Sequence, residues 1–244
     1  MSISALQASV LELADIRREQ DGTDSVDLYH EAFDLGEKIG ETWMASTAAF
    51  SLGTAYKNLT GVRNLDKAEQ WYRRSLAMRR TTDTVYRAKT FDQIGLVRHE
   101  RWREMMAAGA PPDQLADQAN KVVEAHAAAW ECCPPDSANT LGLIRQHLGS
   151  IYLDGGRLDV AEAHYQEAIR QLEAAQNTYE AARCRIHFAL GLVAVGRNAD
   201  ALEYANAAFQ NYLGLGDGAA RETEETRQVV TAIRRRLRAL GDDR

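Results

Sequence analysis

Proline is scarce in this 244-residue chain: four occur, as two adjacent pairs, Pro111-Pro112 and Pro134-Pro135. Proline breaks helix interiors by removing a backbone donor, so the long stretches between the pairs are free to be helical. Cysteine is scarce too. Three residues, with Cys132 and Cys133 adjacent, make no disulfide framework and point to a reducing, cytoplasmic setting. Runs of alternating β-branched residues are missing, which argues against a sheet. No apolar run approaches the ~20 residues a membrane-spanning helix needs. In the opening stretch MSISALQASVLELADIRREQ there is no basic leader, and Glu12 and Asp15 interrupt the apolar positions. It is read as neither a signal peptide nor a membrane anchor. A positive balance is lacking as well: 29 basic against 35 acidic residues give a net charge of −6. There is no global attraction to nucleic acid or anionic lipid, and any such contact has to be local.

What the chain does contain is Ala, Leu, Glu, Gln and Arg in abundance, with 45% apolar residues, enough for a sizeable core. Apolar residues recur at intervals of three and four, as in Val229, Val230, Ile233, Leu237 and Leu240, the stripe of a final helix. Breakers fall at short intervals: Asp21-Gly22, Gly40, Gly61, Gly109 to Pro112, Pro134-Pro135, Gly155-Gly156, Gly196 and Gly214 to Gly218. Short helices joined by tight turns follow. The expected fold is all-α: about five helical hairpins, at approximately 1–40, 41–80, 84–133, 137–176 and 177–214, and a capping helix at 219–240, in one domain.

Self-similarity supports this layout. LGSIYLDGGRLDVAEAHYQEA (148–168) aligns without a gap to FALGLVAVGRNADALEYANAA (188–208). Leu148 pairs with Phe188, Gly149 with Ala189, Tyr152 with Leu192, Gly156 with Gly196, Ala161 with Ala201 and Ala168 with Ala208. Upstream, Leu52, Gly53, Tyr56, Ala68, Tyr72 and Ser75 repeat the scheme. Ile94, Gly95, Ala119 and Val123 repeat it around a longer turn, and Ser25, Tyr29 and Ala32 preserve a weak first copy. This pattern resembles the tetratricopeptide repeat, similar to the roughly 40-residue arrays of bacterial signalling and regulatory proteins. The resemblance covers nearly the whole chain and implies a right-handed α-solenoid in which neighbouring hairpins share one continuous core. Two departures stand out: His126 occupies a position where a small residue is expected, and the fifth copy lacks both aromatics. Looser packing is expected at both places.

Motifs that carry chemistry fare poorly. Gly155-Gly156 is not preceded by a strand or followed by Gly-Lys-Ser/Thr, so it reads as a helix cap and not a phosphate loop. A di-iron bundle needs paired Glu-x-x-His motifs, and the nearest approach is Asp27-x-x-His30. Cys184-x-x-His187 and Cys132-Cys133 lie in different hairpins, and buried cysteines commonly act as small hydrophobes. No Gly-x-Ser-x-Gly is present, and the six histidines form no partner pattern. Arg98, Arg101 and Arg103 surround Trp102, and Arg234, Arg235, Arg236 and Arg238 crowd the last helix. Glu222, Glu224 and Glu225 precede the latter group, an order that complements a helix dipole. The reading is a protein that is not an enzyme and uses no cofactor or metal.

The resemblance also implies where a partner would bind. In such arrays the first helices line a concave groove that holds peptides or extended segments of other proteins. The corresponding positions are Thr47, Phe50, Thr54, Lys57 and Asn58 in the second copy. They are Lys89, Asp92, Leu96, His99 and Glu100 in the third, Gln146, Ser150 and Asp154 in the fourth, and Arg185 in the fifth. Arrays that clamp acidic chaperone tails carry Lys and Asn at two set positions; Phe50 and Thr54, or Asp92 and Leu96, stand there instead. The leading expectation is a scaffold or regulatory subunit that docks another polypeptide. Alternatives are an array sensing a small peptide or metabolite, and a helical enzyme using His99, Glu100 and nearby Arg residues. Self-association stays open, with Trp43, Trp71, Trp102 and Trp130 as residues whose exposure would mark a contact surface.

Overall fold

A computed structural model describes residues 3–242, with side chains described from 4 to 239. Every regular element among them is helical. The contacts divide the chain into two compact units, Met1–Pro134 and Pro135–Arg244. No helix among the described residues is long and apolar enough to cross a membrane.

The first unit holds α1 (Ile3–Glu19), α2 (Ser25–Ile39), α3 (Thr42–Asn58), α4 (Leu65–Met78), α5 (Thr84–Ala107) and α6 (Pro112–Cys132). They pack as the hairpins α1/α2, α3/α4 and α5/α6, with α2 against α3 and α4 against α5. The second unit holds α7 (Ala138–Asp154), α8 (Leu158–Ala174), α9 (Thr178–Ala194), α10 (Asn198–Gly214) and the longer α11 (Ala220–Asp242). Here α7/α8 and α9/α10 are the hairpins, α8 lies against α9, and α11 covers α10. Stacked helical hairpins are the architecture of an α-solenoid.

Local chemistry sets the helix ends. The Asn64 side chain accepts from Lys67 N–H at 2.9 Å, and Asn177 does the same for Glu180 N–H at 3.1 Å. Pro112 sits in the first turn of α6, where its missing N–H costs nothing. Cys133, ahead of Pro134, is forced into an extended conformation and ends α6. At Gly155-Gly156 the second glycine does the work. Gly156 has φ +74°, its N–H donates to Leu153 O at 3.0 Å, and the Arg157 N–H donates to Tyr152 O at 2.7 Å. Gly196 repeats this with φ +81° and bonds to Val193 O and, through Arg197, to Leu192 O. These N–H groups are consumed by the end of a helix, which removes the physical basis for a phosphate loop.

Each unit has its own apolar cluster. Tyr29, Phe33, Leu52 and Tyr72 anchor the first; Tyr165, Leu172, Phe188, Leu192 and Ile233 anchor the second. Burial of each such side chain contributes about 1.5–3 kcal/mol. Val230 and Ile233 of the apolar stripe on α11 are buried, Val229 and Leu237 pack alongside, and the Leu240 side chain lies outside the described residues.

Two expectations change. The inward face of α6 is not set by Ala119 and Val123, which are only half-buried; Val122, His126 and Ala129 face inward. His126 therefore takes the place of an aromatic and not of a small residue. In the fifth copy, packing is not loose. Phe188, Ala189, Leu192, Ala201, Ala205 and Ala208 have no exposed surface, and Phe188 lies 4.7 Å from the Tyr165 ring and 4.9 Å from Tyr204. Tyr204 and Phe188 fill the volume that the missing aromatics leave.

Candidate functional site

In the first unit the nominated residues lie on α3 and α5. Several are already engaged in holding the hairpins together. Phe50 packs edge to face with Tyr72 and at a tilt against Tyr86, at centroid distances of 5.3 and 5.5 Å. The Thr54 hydroxyl is 3.0 Å from the Tyr72 hydroxyl, and Tyr72 donates to Gln93 Oε1 at 3.4 Å. Lys57 Nζ donates to the same oxygen at 2.7 Å. Burial pushes the Lys57 ammonium below its ordinary range, against the opposing pull of Glu100 and Asp92. Glu100 is held by Arg63 at 2.9 Å. Asp92 and His99 lie below the surface, Asp92 with its Oδ1 at 2.9 Å from His126 Nδ1, and His99 with its ring 5.8 Å from Trp102. Leu96 and Thr47 are half-buried; Asn58 and Lys89 are exposed.

The second unit shows the same division. Gln146 is buried, with its amide nitrogen 3.5 Å from His187 Nδ1. Ser150 is 2.8 Å from the Tyr165 hydroxyl, the counterpart of the Thr54–Tyr72 contact one unit earlier. Arg185 pairs with Glu173 and donates to Asn211 at 2.8 Å. Asp154 is exposed at the end of α7. Position on the first helix was legible from the sequence; whether the side chain served the scaffold or faced solvent was not.

Other reactive or charged side chains have structural work. His164 stacks on Tyr152 at 5.3 Å with the rings nearly parallel, and its ring meets Arg145 Nη1 at 3.2 Å. Burial and the Arg145 charge hold its pKa below the ordinary value. Glu167 binds Arg170 and Gln171. Burial pushes the Cys184 thiol up to about 12, and it lies 3.9 Å from Tyr165 O, so it is a neutral core residue at physiological pH. Arg98 and Arg101 both pair with Glu69, and Arg101 also pairs with Asp66 at 2.7 Å. The architecture is helical throughout the described residues and offers no sheet-based catalytic core.

No family model matches the chain, and no curated protein matches it. Among solved structures, the crystal structure of BtubC (BKLC) from P. vanneervenii is similar at 14% identity and a TM-score of 0.38, over 98% of this chain and 93% of that one.

The sequence did not single out one constellation. Where α2 turns into α3 and α4 ends, a cleft of about 370 Å³ is lined by Gly40, Glu41, Thr42, Trp43, Met78, Arg79, Arg80 and Asp83. Trp43 is 61% exposed, which sets it apart from Trp71, Trp102 and Trp130. The Arg79 side chain nearby is almost wholly buried, with the guanidinium carbon 3.5 Å from the Tyr86 ring centroid and 5.6 Å from that of Trp43. The exposure of Trp43 was a test the sequence could pose but not answer, because hairpin stacking brings its neighbours from separate helices.

Proposed function

We propose that this chain is a tetratricopeptide-type array, a non-catalytic scaffold or regulatory subunit of bacterial type, which docks another protein or an extended peptide segment. Residues 1–244 work as one binding domain, in the cytoplasm. The observation that carries the reading is how repeat positions are used. Small and aromatic residues recurring along the chain close each hairpin, Gly53 against Tyr72 and Gly149 against Tyr165, while first-helix residues such as Asn58, Lys89 and Asp154 stay at the surface and differ between copies. A shared scaffold with divergent exposed positions suits recognition of a heterogeneous polypeptide. The reading assigns Thr47, Phe50, Thr54, Lys57, Asp92, His99 and Glu100 in the first unit, and Gln146, Ser150 and Arg185 in the second, to the layer beneath the exposed contacts of their own unit.

Tagged protein and an Asn58→Ala/Lys89→Glu/Asp154→Lys variant, passed over lysate of the native host, test this. The wild type captures a defined polypeptide, and the purified partner binds the variant at least about tenfold more weakly, as expected when several contacts are lost. Equal affinity of the partner for the variant, or no specific capture by the wild type, overturns the reading.

A further inference from the structure

Arg79 is placed as though it awaited a ligand. Its side chain is 3% exposed, and only part of its donor set is used. Nη2 donates to Thr47 Oγ1 at 3.0 Å; Asp83 Oδ2 stands 3.9 Å from Nη1, beyond hydrogen-bond reach; Nε is shielded from solvent and has no partner. A guanidinium cannot discharge by losing a proton, so a buried one normally has its donors matched. Its flat fork is shaped for a carboxylate, and two aromatic rings fix its plane.

The rest of the cleft restricts what that carboxylate can belong to. Arg80 adds a second positive charge, and the first turn of α3, which no side chain caps, adds the partial positive charge of a helix N-terminus. Glu41 and Asp83 line the same space, and their charges disfavour a simple anion. A ligand that carries a carboxylate and a cationic group side by side satisfies both pairs. Trp43 and Met78 provide the apolar wall. A volume of about 370 Å³ equals the space of roughly a dozen waters. That suits a molecule of amino-acid size.

We propose that this cleft binds a free α-amino acid: its carboxylate lies against Arg79 and Arg80, its ammonium against Glu41 and Asp83, and its side chain against Trp43 and Met78. The cleft adjoins Thr47 of the proposed docking surface through Arg79, but its lining includes none of the exposed contacts Asn58, Lys89 and Asp154, so either assignment can fail alone.

Calorimetric titration and tryptophan fluorescence of the full chain against the free L-amino acids, one at a time, test the assignment. At least one saturates with a Kd below about 10 mM. Its C-terminal amide and its N-acetyl derivative bind at least about tenfold more weakly, since each removes one charge-assisted contact. Arg79→Lys weakens it by a similar factor, while Arg235→Ala, at an exposed position on α11, leaves it unchanged. Should Arg79→Lys unfold, Arg80→Ala and Trp43→Ala alter exposed side chains, and each lowers affinity with an unchanged melting curve. Absence of saturation by every free amino acid, equal binding of the amide, or full binding by Arg80→Ala and Trp43→Ala overturns the proposal. A tripeptide that binds more tightly than the free amino acid overturns it in favour of a peptide pocket.

Discussion

Gly95 on α5 and His126 on α6 share one space. A Cβ added at residue 95 would lie 2.5–2.8 Å from three atoms of the His126 ring, which is fully buried and faces Asp92 across 2.9 Å. Gly53 and Gly149 stand in the same relation to Tyr72 and Tyr165. Gly95→Ala gains up to about 1 kcal/mol of helix propensity but overpacks a ring that cannot yield, at a cost of about 1–3 kcal/mol. Net destabilisation of about 1–2 kcal/mol is expected in urea melts. A Gly95→Ala variant as stable as wild type would show that the ring moves aside.

The fifth copy inverts this exchange: Ala189 and Ala205, both without exposed surface, stand where Gly149 and Tyr165 stand in the fourth. Ala205→Tyr alone is expected to lose about 2 kcal/mol or more by overpacking. Adding Ala189→Gly recovers at least about 1 kcal/mol, measured as the coupling in a double-mutant cycle. Additive effects would mean that the two positions do not face each other.

The hairpins were legible because their turns need glycine and their close approaches need small residues, requirements that leave marks at a fixed period. The register of α6 was not. In ANKVVEAHAAAW, alanines occupy every face, so the set Ala119, Val123, His126 and the set Val122, His126, Ala129 look equally apolar, and the choice falls to the room that Gly95 leaves for a ring. Candidate groove residues lie on α3, α5, α7 and α9, the first helices of their hairpins, yet a pattern of positions does not reveal partners. Thr54 and Ser150 turn out to support Tyr72 and Tyr165, and the cleft around Arg79 depends on three helices meeting.

Turn chemistry offers a paired test. Gly156 has φ +74° with open space where a Cβ would go, so Gly156→Ala is opposed by backbone conformation alone, about 1 kcal/mol. Gln176 adopts φ +56° at the equivalent end of α8, with its N–H donating to Glu173 O and the Asn177 N–H to Leu172 O. Gln176→Gly is expected to stabilise by a few tenths to about 1 kcal/mol, because it relieves left-handed strain. Thermal melts should therefore move in opposite directions for the two variants.

Gln93 joins two hairpins: its Oε1 accepts from Lys57 at 2.7 Å and from Tyr72 at 3.4 Å. Gln93→Leu leaves a buried ammonium without its acceptor and is expected to cost about 2–3 kcal/mol. Lys57→Met in the same chain removes the stranded charge and should restore most of the loss, since an apolar pair of similar volume is often neutral. Chemical denaturation of the two single variants and the double variant measures this. A double variant as unstable as Gln93→Leu would assign the role to Tyr72 instead.

Alkaline pH probes the core from another side. Burial pushes the Cys184 thiol from its usual value near 9 up to about 12. It likewise pushes the Tyr29 hydroxyl from near 10 up to about 12, with the Asp15 hydrogen bond acting in the same direction. Both groups hold their protons more tightly when folded than when unfolded. Their contribution is therefore complete below about pH 9, where both states are protonated, and is lost progressively as pH rises toward 12. Melting temperature should stay level with respect to these groups up to about pH 9 and fall beyond it. The fall should be smaller in Cys184→Ala, which removes one titrating group while creating a small cavity that lowers stability at all pH values alike. A Cys184→Ala curve parallel to wild type above pH 9 would mean that the thiol titrates normally; so would native-state alkylation of Cys184 at pH 8 as fast as in denaturant.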